Sequence, residues 1–420
     1  MITVKQLFYG FAAAFCLLMG LSGCNASTQP VNPGPNDSAP GTNIVSNILP
    51  DAEMDDGEND MTEADHAPET SQAAVPNNTS PVEGDEPANT EVLTDQDGIL
   101  EISPITTLEP GFSSASFSGD DGFEAFLAQG GASSDTDVTQ FLMTKLLADV
   151  SVNASAFGCS TLTVGSPDGH QLFGRNFDWQ ACDALVVTSK PTEGYASIST
   201  VNLGFISQAG GSLKQLLKQK DVQVLAALYA PLDGMNEKGL AVSVNMIQDN
   251  ASINQNTDKP DLTTTTAVRL LLNKAANVEE ALTLLRQYDL HASLGMMIHL
   301  ALADTTGQAA VVEYINNEMA VTETPVVTNF YLAEGSKQGI GTQQSHTRYD
   351  ILTQTLADHA AMTMEDVRDA LDRVSKHNFN EFESTEWSAV FDLSSGEAHY
   401  YHRENYENRF TFSIGSGGTP

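Results

Sequence analysis

Hydrophobic and polar positions divide the chain into three parts. An apolar run from Leu7 to Leu21 follows Lys5. Residues 25–110 are rich in Pro, Asn, Asp, Glu, Thr and Ser, with few aromatic residues. Such a segment cannot bury enough apolar surface to offset the entropy lost on ordering, so we expect a disordered linker. From Gly111 onward, apolar residues recur at the spacings of helices and strands, and this part is expected to fold.

The folded part begins with predicted helices and continues with many strands. Its first clear pattern is an amphipathic helix with apolar residues at i, i+3, i+4 and i+8, namely Val138, Phe141, Leu142 and Leu146. Residues 222–229 read as a strand. Four more helices are predicted, at residues 263–276, 278–288, 345–358 and 363–376. Because strands and helices come in separate runs, the pattern indicates an α+β fold rather than a doubly wound sheet.

One hairpin carries candidate chemistry. Residues 159–164 favour a strand, Pro167-Asp168-Gly169 is a turn signal, and residues 171–177 lead back. This hairpin is expected to bring Arg175 and Asp178 towards Cys159. A thiolate is the reactive form of cysteine, and a neighbouring cation favours it.

Charge is concentrated at the N-terminal end. The formal net charge is −36, and residues 25–100 contain sixteen acidic residues without a Lys or Arg. The linker should therefore repel itself and extend. No basic patch is present, so a nucleic-acid partner is not expected.

The first 24 residues resemble a bacterial lipoprotein signal peptide. The apolar run ends in Leu21-Ser22-Gly23-Cys24, where Cys24 would be lipidated and become the mature N-terminus. An ordinary signal peptide or a membrane anchor is the alternative. The lipid would hold the protein on the extracytoplasmic side of a cell membrane or at the cell surface. The sequence leaves open whether Cys159 and Cys182 form a disulfide.

Four motifs, the first of which has two parts, resemble one family in order. Gly158-Cys159-Ser-Thr and Phe173-Gly-Arg-Asn-Phe-Asp-Trp179 are similar to the start of the mature chain in choloylglycine hydrolases and other linear-amide C–N hydrolases. These N-terminal-nucleophile cysteine hydrolases include bile-salt hydrolases and penicillin V acylases. The resemblance continues at residues 233–245, 327–329 and 345–349. It implies a four-layer αββα sandwich of two antiparallel sheets.

The resemblance implies a division of the chain at one bond. Residues 159–420 would be the catalytic domain, and residues 111–158 a helical prosegment. Cys159 would cut the Gly158–Cys159 bond with its own thiol, and its freed amine would then act as the base. In ceramidase-type enzymes such a prosegment stays bound as a small subunit, and the sequence leaves open whether it does so here.

The same resemblance assigns roles to five further residues. Asp178 would bind the freed amine, and Arg175 would stabilise the thiolate. Asn245 would donate to the oxyanion. Asn329 would contact the substrate amide or the tetrahedral intermediate, and Arg348 would add positive charge. Neither a cofactor nor a metal is implied.

The expected function is a membrane-anchored amidase for N-acyl substrates. Bile-salt conjugates, N-acylethanolamines, N-acyl amino acids and penicillin V remain open choices. Two alternatives also remain: an acyltransferase that uses the same thioester, and an unprocessed lipoprotein that binds acyl amides without turnover. The pattern leaves the oligomeric state open.

Overall fold

The computed structural model describes residues 92–95, 98–146, 158–207, 220–377 and 383–414. The signal peptide with Cys24 and most of the expected linker lie outside these residues. Nineteen strands occur in the described part: β1 Val92–Asp95, β2 Gly98–Ile102, β3 Thr106–Glu109, β4 Phe112–Gly119, β5 Gly158–Gly165, β6 Gln171–Trp179, β7 Ala184–Pro191, β8 Ser197–Asn202, β9 Asp233–Asn236, β10 Ala241–Met246, β11 Asp261–Thr263, β12 Asp289–His291, β13 Ile298–Ala303, β14 Ala309–Ile315, β15 Glu318–Glu323, β16 Val326–Val327, β17 Ser384–Asp392, β18 Glu397–His402 and β19 Phe410–Ser413.

Eight α-helices lie within the same described ranges: α1 Phe123–Ala128, α2 Asp135–Leu146, α3 Leu203–Ser207, α4 Lys220–Leu228, α5 Thr264–Lys274, α6 Val278–Leu285, α7 Gln343–Asp358 and α8 Met364–Asp372. A capping box between Thr363 and Asp366 starts α8, as the first turn of the predicted helix suggests. In the described ranges, no helix is both long and apolar enough to cross a bilayer.

Two sheets form the framework. The larger one has eleven strands in the order β1-β2-β4-β7-β8-β9-β10-β13-β14-β15, with β3 paired to β4. The smaller one has six strands in the order β16-β5-β6-β17-β18-β19. All neighbouring strands in these two sheets are antiparallel except β4 and β7, which run parallel from Phe112 opposite Ala184 to Gly119 opposite Pro191.

The packing of apolar residues confirms the four-layer αββα sandwich. Between the sheets, Phe177 and Trp387 of the smaller sheet share a buried cluster with Ile198 and Met235 of the larger one. On the outer face of the larger sheet, a second cluster includes the apolar side of α5. A third cluster joins α7 and α8 to the outer face of the smaller sheet. The helices therefore cover both outer faces, and the sheets cover each other.

Most predicted elements are confirmed, including the hairpin of β5 and β6 and the helices at α5 to α8. The strand predicted over residues 222–229 is wrong, because residues 222–228 belong to helix α4. Its sequence, Val-Gln-Val-Leu-Ala-Ala-Leu, is a short apolar run, and periodicity alone cannot separate a buried strand from a buried helix in such a run.

The N-terminal boundaries also need correction. Residues 98–110, expected in the linker, contain β2 and β3, and the segment 111–158, expected to be helical, starts with strand β4. In β4 the sequence Phe-Ser-Ser-Ala-Ser-Phe-Ser-Gly places small serines between buried Phe112, Ala115 and Phe117, which hides the strand period. The preceding strands are short and polar, so their composition resembles that of a linker.

Candidate active site

The register of the hairpin decides which side chains face Cys159. Cys159 lies opposite Phe177, and Thr161 lies opposite Arg175. Since side chains alternate along a strand, Cys159 and Arg175 share the face that packs between the sheets. Asp178 lies opposite Gly158 and points to the other face. The hairpin thus brings both predicted partners close to Cys159, but from different sides of the sheet.

Three predicted residues converge on the backbone of Cys159. Its N–H donates to Oδ1 of Asn329 at 2.9 Å. Its carbonyl accepts from Nη1 of Arg348 at 2.8 Å, and the same nitrogen lies 3.2 Å from Oδ2 of Asp178. Nη2 of Arg348 donates to Oδ1 of Asn329 at 2.7 Å. In the uncleaved chain, Asn329 therefore binds the backbone N–H of Cys159. Asp178, the expected partner of that nitrogen, contacts Arg348.

The thiol of Cys159 is buried. It is 0% exposed and lies 3.6 Å from the carbonyl oxygen of Val244. Burial raises the pKa of the Cys159 thiol above its usual range, while the nearby charge of Arg175 acts in the opposite direction. The thiols of Cys159 and Cys182 are both free, so the disulfide that the sequence left open is not formed.

A buried ion pair fixes Arg175 beside the thiol. Nε of Arg175 lies 2.5 Å from Oδ2 of Asp233, and both side chains are fully buried. The indole N–H of Trp387 donates to the same oxygen at 3.0 Å. Burial on its own would lower the pKa of the Arg175 guanidinium, but Cys159 and Asp233 raise it above its usual range. The sequence assigns no role to Asp233, although it is the first residue of the 233–245 motif.

The comparisons with known proteins agree with the sequence resemblance. Residues 226–406 match the model of a family described as acyl-coenzyme A:6-aminopenicillanic acid acyl-transferase. A mutant of the conjugated bile acid hydrolase from Clostridium perfringens is similar at 17% identity, over 62% of this chain and 95% of that chain, with a TM-score of 0.46. Penicillin V acylase from Agrobacterium tumefaciens is similar at 17% identity, over 61% and 87% of the two chains, with a TM-score of 0.44. No curated protein matches the chain in sequence.

The range of the family match contains the segments 233–245, 327–329 and 345–349, which carry part of the resemblance. These segments include Asn245, Asn329 and Arg348, whereas the hairpin with Cys159 lies before the matched range. In an N-terminal-nucleophile hydrolase, the catalytic residue uses its backbone nitrogen as well as its side chain. Here Asn329 and Arg348 contact the backbone N–H and carbonyl of Cys159, on either side of its α-carbon. The roles assigned to the individual side chains remain predictions.

Asn245 occupies the thiol side of the site. Its Nδ2 donates to the hydroxyl of Thr161 at 3.1 Å, and its Oδ1 accepts from Ser243 at 3.0 Å. The same Oδ1 lies 3.5 Å from Nη1 of Arg175. Asn245 is therefore tied to Arg175 and to the strand of the nucleophile. Its predicted oxyanion role would use an amide hydrogen that these contacts leave available, because an amide group carries two.

On the opposite face, Asp178 has polar neighbours that the sequence analysis missed. Its Oδ1 accepts from the hydroxyl of Thr385 at 2.8 Å, and its Oδ2 lies 3.7 Å from Nζ of Lys376. Lys376 in turn pairs with Glu383 at 2.7 Å. A Cβ added to Gly158 would collide with both members of this Lys–Glu pair. A larger residue before the nucleophile would therefore require the ends of both side chains to shift. No sequence signal marks Lys376 or Glu383.

A second buried pair supports the two asparagines. Glu313 in β14 accepts the N–H groups of Leu332 and Ala333 at 2.9 and 2.6 Å, which fixes the chain just after Asn329. Nδ1 of His299 lies 2.9 Å from Glu313, and both side chains are fully buried. In the pairing of β10 with β13, His299 lies directly opposite Asn245. The His299–Glu313 pair therefore connects the strand of Asn245 with the loop of Asn329.

The surroundings of Glu313 favour the charged form of its carboxyl group. Burial on its own would raise the pKa of its carboxyl group, but the contacts with His299 and with the N–H groups of Leu332 and Ala333 lower that pKa below its usual range. Neither His299 nor Glu313 could be predicted from the sequence, because both lie inside ordinary apolar strands.

Proposed function

We propose that this protein is an amidase that cleaves linear N-acyl amides with Cys159 as an N-terminal nucleophile. One observation carries the proposal: Asn329 and Arg348 hold the backbone N–H and carbonyl of Cys159 directly. An ordinary cysteine nucleophile needs its thiol positioned, but its backbone nitrogen plays no part. A nucleophile that uses its own amine as the base needs that nitrogen oriented as well.

Self-cleavage would precede turnover. The thiol of Cys159 attacks the carbonyl carbon of Gly158, an S–C bond forms, and the C–N bond breaks as the nitrogen takes up the thiol proton. Water then hydrolyses the thioester, which releases the Gly158 carboxylate and restores the thiol. In the continuous chain the six predicted site residues are all buried. Cleavage would let Gly158 move away from Cys159, and this movement would open the site to a substrate.

Turnover would repeat the same chemistry on an external amide. The freed amine has a reference pKa near 8, so at neutral pH a substantial fraction can accept the thiol proton. The thiolate, stabilised by Arg175, attacks the acyl carbon, and the amine product leaves with the proton. Asn245 would donate to the oxyanion, an interaction whose loss typically costs about 100–1000-fold in rate. Asn329 and Arg348 would keep the amine and the thiol aligned.

The substrate class follows from the comparisons as a proposal. The similar solved structures are a conjugated bile acid hydrolase and a penicillin V acylase, which favours hydrolysis of an amide between an acyl group and an amine. The matching family model is described as an acyl-transferase. Acyl transfer, in which an amine instead of water resolves the thioester, is therefore the second candidate.

We further propose that the N-terminal segment stays bound after cleavage. Strand β4 lies between β2 and β7 in the larger sheet and pairs with β7 over eight positions. Phe126 of α1 packs edge-on against Tyr229, with ring centroids 5.7 Å apart. A lipid on Cys24 would then anchor the catalytic chain on the extracytoplasmic side of the membrane, through non-covalent packing alone.

Mass spectrometry of the purified protein tests the proposal. A chain that begins at Cys159 is expected, and it should be absent from Cys159→Ala. Wild-type protein that stays uncut and inactive under native conditions would support the binding lipoprotein instead. Hydrolysis is then measured with tauro- and glyco-conjugates, N-acylethanolamines, N-acyl amino acids and penicillin V. Faster product formation when hydroxylamine is added, with acyl hydroxamate as the product, would favour acyl transfer.

A further inference from the structure

A buried pair of charges lies beside the Gly158–Cys159 bond and has no part in the chemistry proposed above. Nζ of Lys376 lies 2.7 Å from Oε1 of Glu383 and 3.7 Å from Oδ2 of Asp178. A Cβ on Gly158 would collide with the ends of the Lys376 and Glu383 side chains. Lysine is almost never buried this deeply without a partner, because its charge loses hydration.

Hydrogen bonds of the backbone hold Lys376 in this position. Its N–H donates to the hydroxyl of Thr385 in β17 at 2.9 Å, and its carbonyl accepts the N–H of Thr385 at 3.0 Å. The same hydroxyl donates to Oδ1 of Asp178 at 2.8 Å. The ammonium group of Lys376 is therefore fixed next to the residue that precedes the nucleophile.

The ammonium group is also close to the future base of the reaction. Self-cleavage would convert the backbone nitrogen of Cys159 into a free α-amine. This nitrogen is two bonds away from the α-carbon of Gly158, and Nζ of Lys376 occupies the space beside that α-carbon. From the covalent geometry, the two nitrogens lie within about 6 Å of each other. A charge at this distance from a titrating group shifts the pKa of that group.

Four charged side chains surround this nitrogen, and their formal charges cancel. Asp178 and Glu383 contribute two negative charges, and Lys376 and Arg348 contribute two positive ones. A protonated α-amine would add an uncompensated positive charge to this buried group, whereas a neutral amine leaves the sum at zero. Because an uncompensated buried charge is costly, the surroundings favour the neutral amine.

The other charges nearby do not change this sum. On the thiol side, Arg175 is balanced by Asp233. The exposed side chain of His377 pairs with Glu404. The new carboxylate of Gly158 is not included in the sum, because Gly158 has to move away before a substrate can enter.

We propose that Lys376 keeps the freed α-amine of Cys159 neutral, so that this amine can act as the base. The inference rests on the proposed amidase function and adds a positioning residue to it, one that acts through its charge. Without Lys376, one negative charge would be left over, and the protonated amine, which is no base, would be favoured. Without Glu383, one positive charge would be left over, and the neutral amine would be favoured more strongly.

The pH dependence of kcat/KM tests the proposal, because its rise with pH reports the pKa of the base in the free enzyme. In cleaved full-length protein, Lys376→Met should move the midpoint of this rise up by about one pH unit, and Glu383→Gln should move it down by about one unit. At pH 5, kcat/KM of Lys376→Met should therefore be about tenfold below wild type, and the difference should vanish at pH 9. Lys376→Arg keeps the charge and should keep the wild-type midpoint.

A matched pair of control variants removes charges from an exposed ion pair. Nη1 of Arg409 lies 3.3 Å from Oε1 of Glu365, and both side chains are about half exposed. Arg409→Met and Glu365→Gln should leave the midpoint in place, because solvent and salt screen exposed charges. An NMR titration of the α-amine nitrogen, in protein labelled with ¹⁵N-cysteine, should give the same shifts without any substrate.

The opposite signs of the two shifts make the outcome decisive, since a loss of structure would not produce them. If Lys376→Met does not fold or stays uncut, the downward shift in Glu383→Gln decides. Shifts of the same sign in both variants, or an unchanged midpoint in Glu383→Gln, would overturn the role of Lys376 while leaving the amidase intact. A wild type without self-cleavage and without turnover would instead overturn the proposed function, and the role of Lys376 with it.

Discussion

The pair of His299 and Glu313 gives the most direct test of how the site is held. Replacing Glu313 by Gln keeps the shape of the side chain and removes its charge. The carboxylate uses its two oxygens to accept the N–H groups of Leu332 and Ala333, and it also contacts His299. An amide group offers one oxygen, so at least one of the two backbone donors would face an NH₂ group and lose its acceptor.

The cost follows from these contacts. A buried donor left without a partner costs about 1–3 kcal/mol. Removing one member of a buried ion pair costs about 3–5 kcal/mol where the partner's charge is left uncompensated. We therefore expect Glu313→Gln to lower the free energy of unfolding by about 2–4 kcal/mol. Because the chain after Asn329 loses its support, kcat should also fall.

The pH dependence has a defined sign. The pKa of Glu313 is lower in the folded state than its usual value near 4.3 in an unfolded chain. The stabilisation is therefore complete above the unfolded pKa and is lost as the pH falls through the folded pKa. Wild-type protein should lose stability in acid more steeply than Glu313→Gln, which carries no titrating group at this position.

Urea denaturation at neutral pH and at pH 3–5 measures both effects, and steady-state kinetics measures kcat and KM. Glu323→Gln is the matched control, because Glu323 is an exposed carboxylate on the neighbouring strand β15. The reasoning is refuted if Glu313→Gln unfolds at the same urea concentration as the control. A purely structural role would lower stability with kcat unchanged in the folded fraction, and a positioning role requires that kcat fall there as well.

Three further substitutions test other parts of the site. Gly158→Ala should slow self-cleavage, because the added Cβ displaces the ends of the Lys376 and Glu383 side chains next to the scissile bond; electrophoresis of freshly made protein would show the uncut chain. Arg348→Lys should lower kcat/KM by about 10–100-fold. One ammonium group cannot replace both guanidinium contacts, which are to the carbonyl of Cys159 and to Oδ1 of Asn329. Asp233→Asn should lower the free energy of unfolding by about 3–5 kcal/mol in urea titrations, because it leaves Arg175 buried without its carboxylate.

Local patterns account for what could be predicted. The hairpin has a turn signal between two runs of strand-forming residues, so its register and the approach of Arg175 to Cys159 follow from nearby sequence. Asn329 and Arg348 are far from Cys159 in the chain. They could be placed only through the family resemblance, and both contact the backbone of Cys159.

Long-range contacts account for what was missed. Lys376 and Glu383 reach the surroundings of Gly158 from the C-terminal side of the chain, and Glu313 acts through backbone groups nineteen and twenty residues away. A single charged residue in a strand has no local signature, and its partners appear only when the strands pair. Strand β4 could not be predicted for the same reason, because its partner β7 lies about seventy residues later in the chain.

The position of β4 leads to a last prediction, that residues 159–420 cannot fold well alone. Without the N-terminal segment, β7 would present an unpaired edge over eight positions, and such edges promote aggregation. The core would also lose three buried rings, those of Phe112, Phe117 and Phe126. Deleting one such ring usually costs about 3–5 kcal/mol of stability. We expect the 159–420 chain to be insoluble when produced alone and soluble when residues 92–158 are co-expressed. If it is folded and active alone, the N-terminal segment is dispensable, and the proposal that it stays bound after cleavage loses its structural basis.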